Sequence, residues 1–337
     1  MSNQTYNDYL YNKEQKERFL KDRTFNTREA YSRVLKRASS LEEEFGKDLY
    51  NFNISEIELL INYLAPTTLS SVQSATSPIT VYIDWAIEQG LRTDNFNPLS
   101  TLIDREYLEK FIDKSNELIF SKDDIDDITC RLTNRIDAAV IQCLFEGLMG
   151  KKYSELLNLT IHDINENENR LILTNDIDEG YKKKRVLMLD GDSTLIKLLI
   201  QTFEKKIYYK NNGNPSPNNK SDIINLVEND YIFRAAALGV KYLGKADSHL
   251  VLRKLRLVAD WMGQPHLTAT NIRNSGMLYY TYKLYKDRGK LEKEEYDIIC
   301  ERFDIKMNSL GYYNISRQKN DFLNVKTIKK IYGTGTS

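Results

Sequence analysis

The chain has 337 residues, 41% of them hydrophobic and 28% charged, an ordinary mix for a folded protein of one large domain or two of common size. A formal net charge of zero excludes a protein that coats nucleic acid by bulk charge, but not a specific reader with local basic patches. No run approaches the ~18 apolar residues of a membrane span, and the N-terminal MSNQTYNDYLYNKEQKERF lacks the apolar core of a signal peptide. Cys130, Cys143 and Cys300 are odd in number and widely spaced, which suits a reducing compartment and gives no metal pattern. These features point to the cytoplasm, with no membrane partner, no cofactor and no metal.

Residues 1–23 read as an N-terminal extension. Asn26 and Glu29 then form a capping-box pattern, and Tyr31, Val34, Leu35, Ala38, Leu41 and Phe45 share one helical face. The opposite face carries Arg28, Arg33, Lys36 and Arg37, a solvated face or a nucleic-acid contact. A second helix starts at Asn53-Ile-Ser-Glu, buries Ile57, Leu60, Ile61 and Leu64, and ends at Pro66. The stretch Thr67 to Thr76 is small and hydroxyl-rich. It is a loop and cap, or it aims Ser71, Gln73 and Ser74 at base edges, as glutamine can for adenine. Ile79, Tyr82, Ile83, Trp85 and Ala86 continue a helical face despite Pro78, and Asn95 to Leu102 closes the region. A charged helix follows from Arg105, and Ser121 to Asp124 offers a further helix start. Ile136 to Leu148 is an apolar helix, with Cys143 in the core.

The period then changes. Arg170 to Thr174 and Lys184 to Leu189 are β-like runs around the turn Asp178-Glu179-Gly180, so a hairpin is expected. Asn211 to Lys220 has the composition of a surface loop, Tyr231 to Phe233 reads as a short strand, and helices resume from Ser248 and after Thr270. Residues 333–337 read as a disordered tail.

This order resembles that of the tyrosine recombinases, the phage-integrase family, over residues 24–332. TFNTREAYSRVLKRASSLEEEFG and YIDWAIEQGL…NPL carry the N-terminal likeness. Gly150-Lys-Lys-Tyr-Ser-Glu-Leu-Leu is similar to the family's box I, with Lys152 where an arginine belongs. Lys182, Lys183 and Lys184 lie on the hairpin that holds the family's catalytic lysine. Leu267 to Gly276 is similar to box II, with Arg273 matching the arginine and Thr270 in the histidine's place. In Arg302 to Asn314, Ile305 falls near the family's His/Trp position and Tyr312 or Tyr313 near its nucleophile. The resemblance implies a mainly α fold with a small β-sheet (α+β), built as a two-domain clamp around duplex DNA. Residues 24–103 would form a helical, SAM-like core-binding domain, 104–120 a linker helix, and 121–332 a recombinase-catalytic-like domain.

Cleavage in that family transfers a phosphoryl group to tyrosine, and two arginines grip the non-bridging oxygens. Lys152 keeps the charge but loses the guanidinium fork. Thr270 is no base near neutral pH, a role worth ~10²–10⁴-fold, and Ile305 can neither donate to phosphate nor move a proton. His266 is near box II but precedes the helix. The resemblance therefore implies a DNA-binding protein that cuts nothing, of a phage-repressor type acting at operator sites to maintain lysogeny. Arg28, Arg33, Lys36, Arg37, Ser71, Gln73, Ser74, Lys152, Lys182, Lys183, Lys184, Arg273 and Asn274 are the expected DNA contacts. Duplex operator DNA is the expected partner. Self-association through the C-terminal segment and a small protein or peptide antagonist are further candidate partners. An active divergent recombinase and an architectural DNA-bending protein are the alternatives.

Overall fold

A computed structural model describes residues 9–100, 104–112, 118–178, 180–191, 193–217, 220–237 and 243–333. The first eight residues of the expected extension, the middle of the expected linker helix and residues 334–337 of the expected tail lie outside these. The chain divides into two compact units, Met1–Asn116 and Glu117–Ser337. The architecture is mainly helical with a small β component, as expected; the described residues form two small antiparallel sheets.

Among its described residues the first unit has helices and no strand. Helix α1 (Lys13–Leu20) precedes α2 (Phe25–Phe45), whose N-cap is Thr24, not Asn26: the Thr24 side chain accepts from the Thr27 amide. Helix α3 (Ile54–Leu64) begins with the expected capping box of Asn53 and Glu56. Helix α4 (Leu69–Glu88) absorbs the hydroxyl-rich stretch, with Thr68 as N-cap and Pro78 inside it. The tetrad Phe19, Tyr31, Tyr82 and Trp85 ties α1 to α2 and α4. Beneath it lies a fully buried ion pair, with Lys16 Nζ 2.6 Å from Glu42 Oε1. Leu108 and Phe111, on and just after α5 (Arg105–Glu109), complete this core, so that part of the expected linker is core.

The second unit is built around α7 (Arg135–Glu146), an apolar helix enclosed by α6 (Lys122–Cys130), α9 (Leu195–Glu204), α10 (Ser248–Met262) and α11 (Ala269–Arg288). Gly276 permits the closest approach: a Cβ there would lie 1.8 Å from the Phe145 carbonyl oxygen. The hairpin pairs β2 (Arg170–Asp178) with β3 (Tyr181–Met188), flanked by the short β1 (Ile164–Asn165). A second sheet, unanticipated from the sequence, pairs β4 (Ile207–Tyr209) with β5 (Ile223–Asn225). The strand expected at Tyr231 to Phe233 is a single bridge, Thr160 to Tyr231, with Ile232 and Phe233 in the core. The Ser-Glu-Leu-Leu end of box I forms the short helix α8 (Ser154–Leu157), ahead of the hairpin. The C-terminal cluster joins α11, α12 (Lys293–Arg302) and α14 (Val325–Tyr332) with Ile315, Phe322 and Leu323, which flank α13 (Ser316–Asp321), and Tyr332 stacks on Tyr282 at 4.5 Å.

Candidate nucleic-acid interface

Strand geometry sorts the hairpin cations. Successive side chains on β3 point to opposite faces, so Lys182 and Lys184 lie on one side and Lys183 and Arg185 on the other. The outward side continues into Val186 and Met188, which are more than half exposed. The other side leads to the buried Leu187. Lys182, Lys183 and Lys184 are thus not one tip. Lys182 and Lys184 are exposed and form no salt bridge among the described residues, whereas Lys183 Nζ bonds Asp304 Oδ1 at 2.6 Å.

Arg185 is sequestered. Its Nε and Nη2 clasp Glu155 at 2.7 and 2.9 Å, Nη1 donates to the Arg302 carbonyl at 2.8 Å, and Nη2 also reaches the Gly147 carbonyl at 3.0 Å. Glu155 is 1% exposed, and its Oε2 also accepts from the Met149 amide. This bidentate pair locks box I to the hairpin.

Arg273 rises from α11 into the same neighbourhood. Its Nη2 donates to the Phe303 carbonyl, and its guanidinium lies 5.6 Å from the Phe303 ring centre. Nε is buried without a hydrogen-bond partner among the described residues. Burial, and then the neighbouring Arg185 charge, push the Arg273 pKa down, against the pull of Glu155 and Asp304. Asn274, next on the helix, is half-buried.

Three consecutive residues at the C-terminal end of α12 thus take three cations: the Arg302 carbonyl takes Arg185, the Phe303 carbonyl takes Arg273, and the Asp304 carboxylate takes Lys183. A helix C-terminus carries partial negative charge and unpaired carbonyls, so it suits this role. Asp304 has φ 47°, the left-handed conformation that aspartate tolerates better than most residues. Burial alone would raise its carboxyl, but the bond and charge of Lys183, with Arg185 and Asn175, hold it below its ordinary value.

The remaining box positions are apart from this cluster or chemically mute. Lys152 is exposed, with φ 53°, and lines a cleft of about 300 Å³ with Lys151, Ser154, Asp176, Lys245 and Ser248. Lys151 Nζ donates to the Ile177 carbonyl, and Lys245 bonds Asn158 and Asp176 at 2.8 and 2.7 Å. Thr270 is exposed in the first turn of α11, and the His266 carbonyl accepts from the Asn271 side chain. Ile305 packs against the C-terminal cluster. Tyr312 is 57% exposed, with Lys293 Nζ 5.2 Å from its ring centre. Tyr313 packs on the same cluster as Ile305. Burial raises its hydroxyl pKa, and Glu301, Cys300, Asp297 and Asp304 add to the shift, opposite to what a phenolate nucleophile needs. Among the described residues no group of three or more His, Cys, Asp or Glu could hold a metal ion.

In the first unit, Arg37 Nη2 donates to the Leu64 carbonyl at 3.0 Å, and Arg28 bonds the carbonyls of Lys21 and Arg23. Arg33 is exposed and Lys36 half-buried. The Ser71 hydroxyl is consumed by its own capping box, accepting from the Thr68 amide and donating to the Thr68 carbonyl. Ser74 donates to the Ser70 carbonyl, while Gln73 is exposed on the same helix. Sequence reasoning also passed over α10. Its buried side carries Val251, Leu255 and Val258, and its outer side presents His249, Arg253 and Arg256. The signal was there in SHLVLRKLRLVADWM, whose apolar period leaves those residues facing out.

A helical unit followed by an α/β unit with degenerate recombinase boxes defines a tyrosine-recombinase-like two-domain protein. Residues 10–88 match the MrpR N-terminal core-binding domain and residues 119–333 the MrpR C-terminal catalytic domain; the chain belongs to the MrpR family. It is 28% identical over 326 residues to the SPbeta prophage-derived uncharacterized protein YopR of Bacillus subtilis (strain 168), covering 96% of this chain and 97% of YopR. Similar solved structures include the XerA recombinase (14% identity, 96% of this chain, 99% of that one, TM-score 0.42). Another is the XerH site-specific recombinase bound to a palindromic difH substrate (11%, 91% and 79%, TM-score 0.44).

Proposed function

We propose that this protein is a sequence-specific binder of duplex DNA that represses transcription from phage operators in the bacterial cytoplasm and does not cleave its site. The observation that carries the reading is the division of the cations. Arg185, Arg273 and Lys183 donate to the chain's own residues 302–304, whereas Lys152, Lys182, Lys184, Arg253 and Arg256 are exposed. Exposed cations set register on phosphates, and an exposed helix with two arginines is suited to base edges in a major groove. Transfer to tyrosine needs the opposite arrangement, with guanidinium donors free for the phosphoryl oxygens and a base in reach. Membership of a family whose two domains are described as core-binding and catalytic supports the DNA-binding part of the reading. The repressor part rests on the resemblance drawn from the sequence.

The test is incubation of the protein with labelled phage DNA fragments, resolved natively and after denaturation. A discrete native shift that vanishes on denaturation is the expected result. A band that survives denaturation and is lost in Tyr312→Phe or Tyr313→Phe would mean a working recombinase.

A further inference from the structure

We infer that Asp304 is a built-in phosphate surrogate: its carboxylate, with the two carbonyls before it, fills the place where the hairpin and box II cations would otherwise hold a phosphodiester, and it sets how strongly this pocket takes DNA. The inference rests on the DNA-binding reading above and assigns a new role within it.

The geometry is specific. The oxygen ligands on residues 302–304 meet Arg185, Arg273 and Lys183 in chain order, each cation from a different or alternate position of the hairpin and α11. Two of these ligands are backbone carbonyls, which no side-chain change removes. The third is a full negative charge, 2.6 Å from Lys183, whose side chain is 51% exposed against 22% for Asp304. The other nearby anion, Glu155, is already saturated by Arg185 and the Met149 amide. Among the described residues, Asp304 is therefore the one removable anion that forms a salt bridge with the cluster's exposed cation. A phosphate oxygen approaching Lys183 competes with it for the same ammonium. A DNA contact that displaces an internal carboxylate gains less than one made to a free lysine, because an existing ion pair is broken as the new one forms.

Neutralising Asp304 frees Lys183. Each added phosphate contact steepens the slope of log affinity against log salt by about 0.9, so on going from 200 to 50 mM salt the variant gains about threefold more affinity than wild type. Asp304→Asn keeps the shape and suits the left-handed backbone. Asp304→Gly removes the carboxylate and relieves that backbone, and it serves if the asparagine variant is poorly folded. Both are titrated with duplex DNA by fluorescence anisotropy across that salt range, beside Asp304→Asn/Lys183→Ala and beside Glu204→Gln, which removes an exposed charge elsewhere. Melting is followed in parallel in rising inorganic phosphate.

The inference expects tighter binding and a steeper slope in the folded Asp304 variants, loss of that gain in the double variant, no change in Glu204→Gln, and a saturable phosphate-dependent rise in melting temperature for Asp304 variants that wild type lacks. Unchanged slopes together with an unchanged phosphate response overturn it, as does a gain that persists without Lys183. If no variant binds duplex DNA but phosphate still stabilises the Asp304 variants alone, the surrogate stands and the DNA-binding reading falls.

Discussion

Arg185→Met separates a structural guanidinium from a DNA contact. The substitution keeps most of the apolar stem and removes five donors, of which two hold Glu155. Glu155 is 1% exposed, so it would be left as a buried charge with the Met149 amide as its remaining hydrogen-bond donor among the described contacts. Breaking a buried pair from one side costs about 3–5 kcal/mol, and loss of the bonds to the Arg302 and Gly147 carbonyls falls within the same range. For a unit of this size, ~1 kcal/mol moves the melting temperature by ~2–4 °C, so a fall of roughly 6–20 °C is expected. The chain has two tryptophans, Trp85 in the first unit and Trp261 in the second. In a Trp85→Phe background, Trp261 fluorescence therefore follows the unit that holds Arg185. Pairing Arg185→Met with Glu155→Leu should recover much of the loss, because the orphaned charge is then gone. If Arg185→Met melts within 2 °C of its background yet loses DNA binding, the structural assignment is wrong and Arg185 is a contact residue.

Three further outcomes follow from the same geometry. Ser71→Ala should cost about 1 kcal/mol through its lost cap and leave DNA sequence preference unchanged, whereas Gln73→Ala should relax preference at one base pair with little effect on melting; competition binding with a panel of single-base variants separates the two. Gly276→Ala sets a Cβ 1.8 Å from the Phe145 carbonyl oxygen and should cost about 3 kcal/mol or more or prevent folding, read from expression and melting. Burial already pushes Glu42 up to about 7 despite the pull of Lys16, so Lys16→Met should raise it further. An acid raised on folding destabilises as pH climbs through its folded value, so Lys16→Met should be weakest near pH 8 and recover towards pH 5, as followed by Trp85 fluorescence.

The fold was largely legible because it is written in periodic apolar faces. The helix of Tyr31 to Phe45, the Asn53 capping box and the apolar Ile136 stretch all appear where their patterns place them. The misses are local and physical. Thr24 outcompeted Asn26 as a cap, and the short β4 and β5 strands have too few residues to show a period of two. Polar Ser/Thr residues in the α4 stretch read as loop because helix interiors disfavour them, but Ser74 and Thr76 bond carbonyls four residues back and Ser71 closes the cap.

The site was legible in its parts list and not in its wiring. Residue type identifies a lysine or arginine as able to meet phosphate, but not whether the protein's own oxygens have met it first. Arg37 at the end of α3, and Arg273 and Arg185 at the end of α12, all donate to carbonyls at helix C-termini. There the last turn leaves acceptors unpaired. A cation that ends on such carbonyls contributes to folding, and its neighbour one residue along a strand is left to face solvent. Lys184 and Arg185 are that pair: adjacent in sequence, opposite in direction, one available to a ligand and one committed to Glu155. The distinction is set by strand register, which the pairing of Lys184 with Thr174 and Arg185 with Leu173 fixes. A one-residue slip of β3 would exchange their roles, so the hairpin's register, more than its lysine count, determines which charges this surface offers.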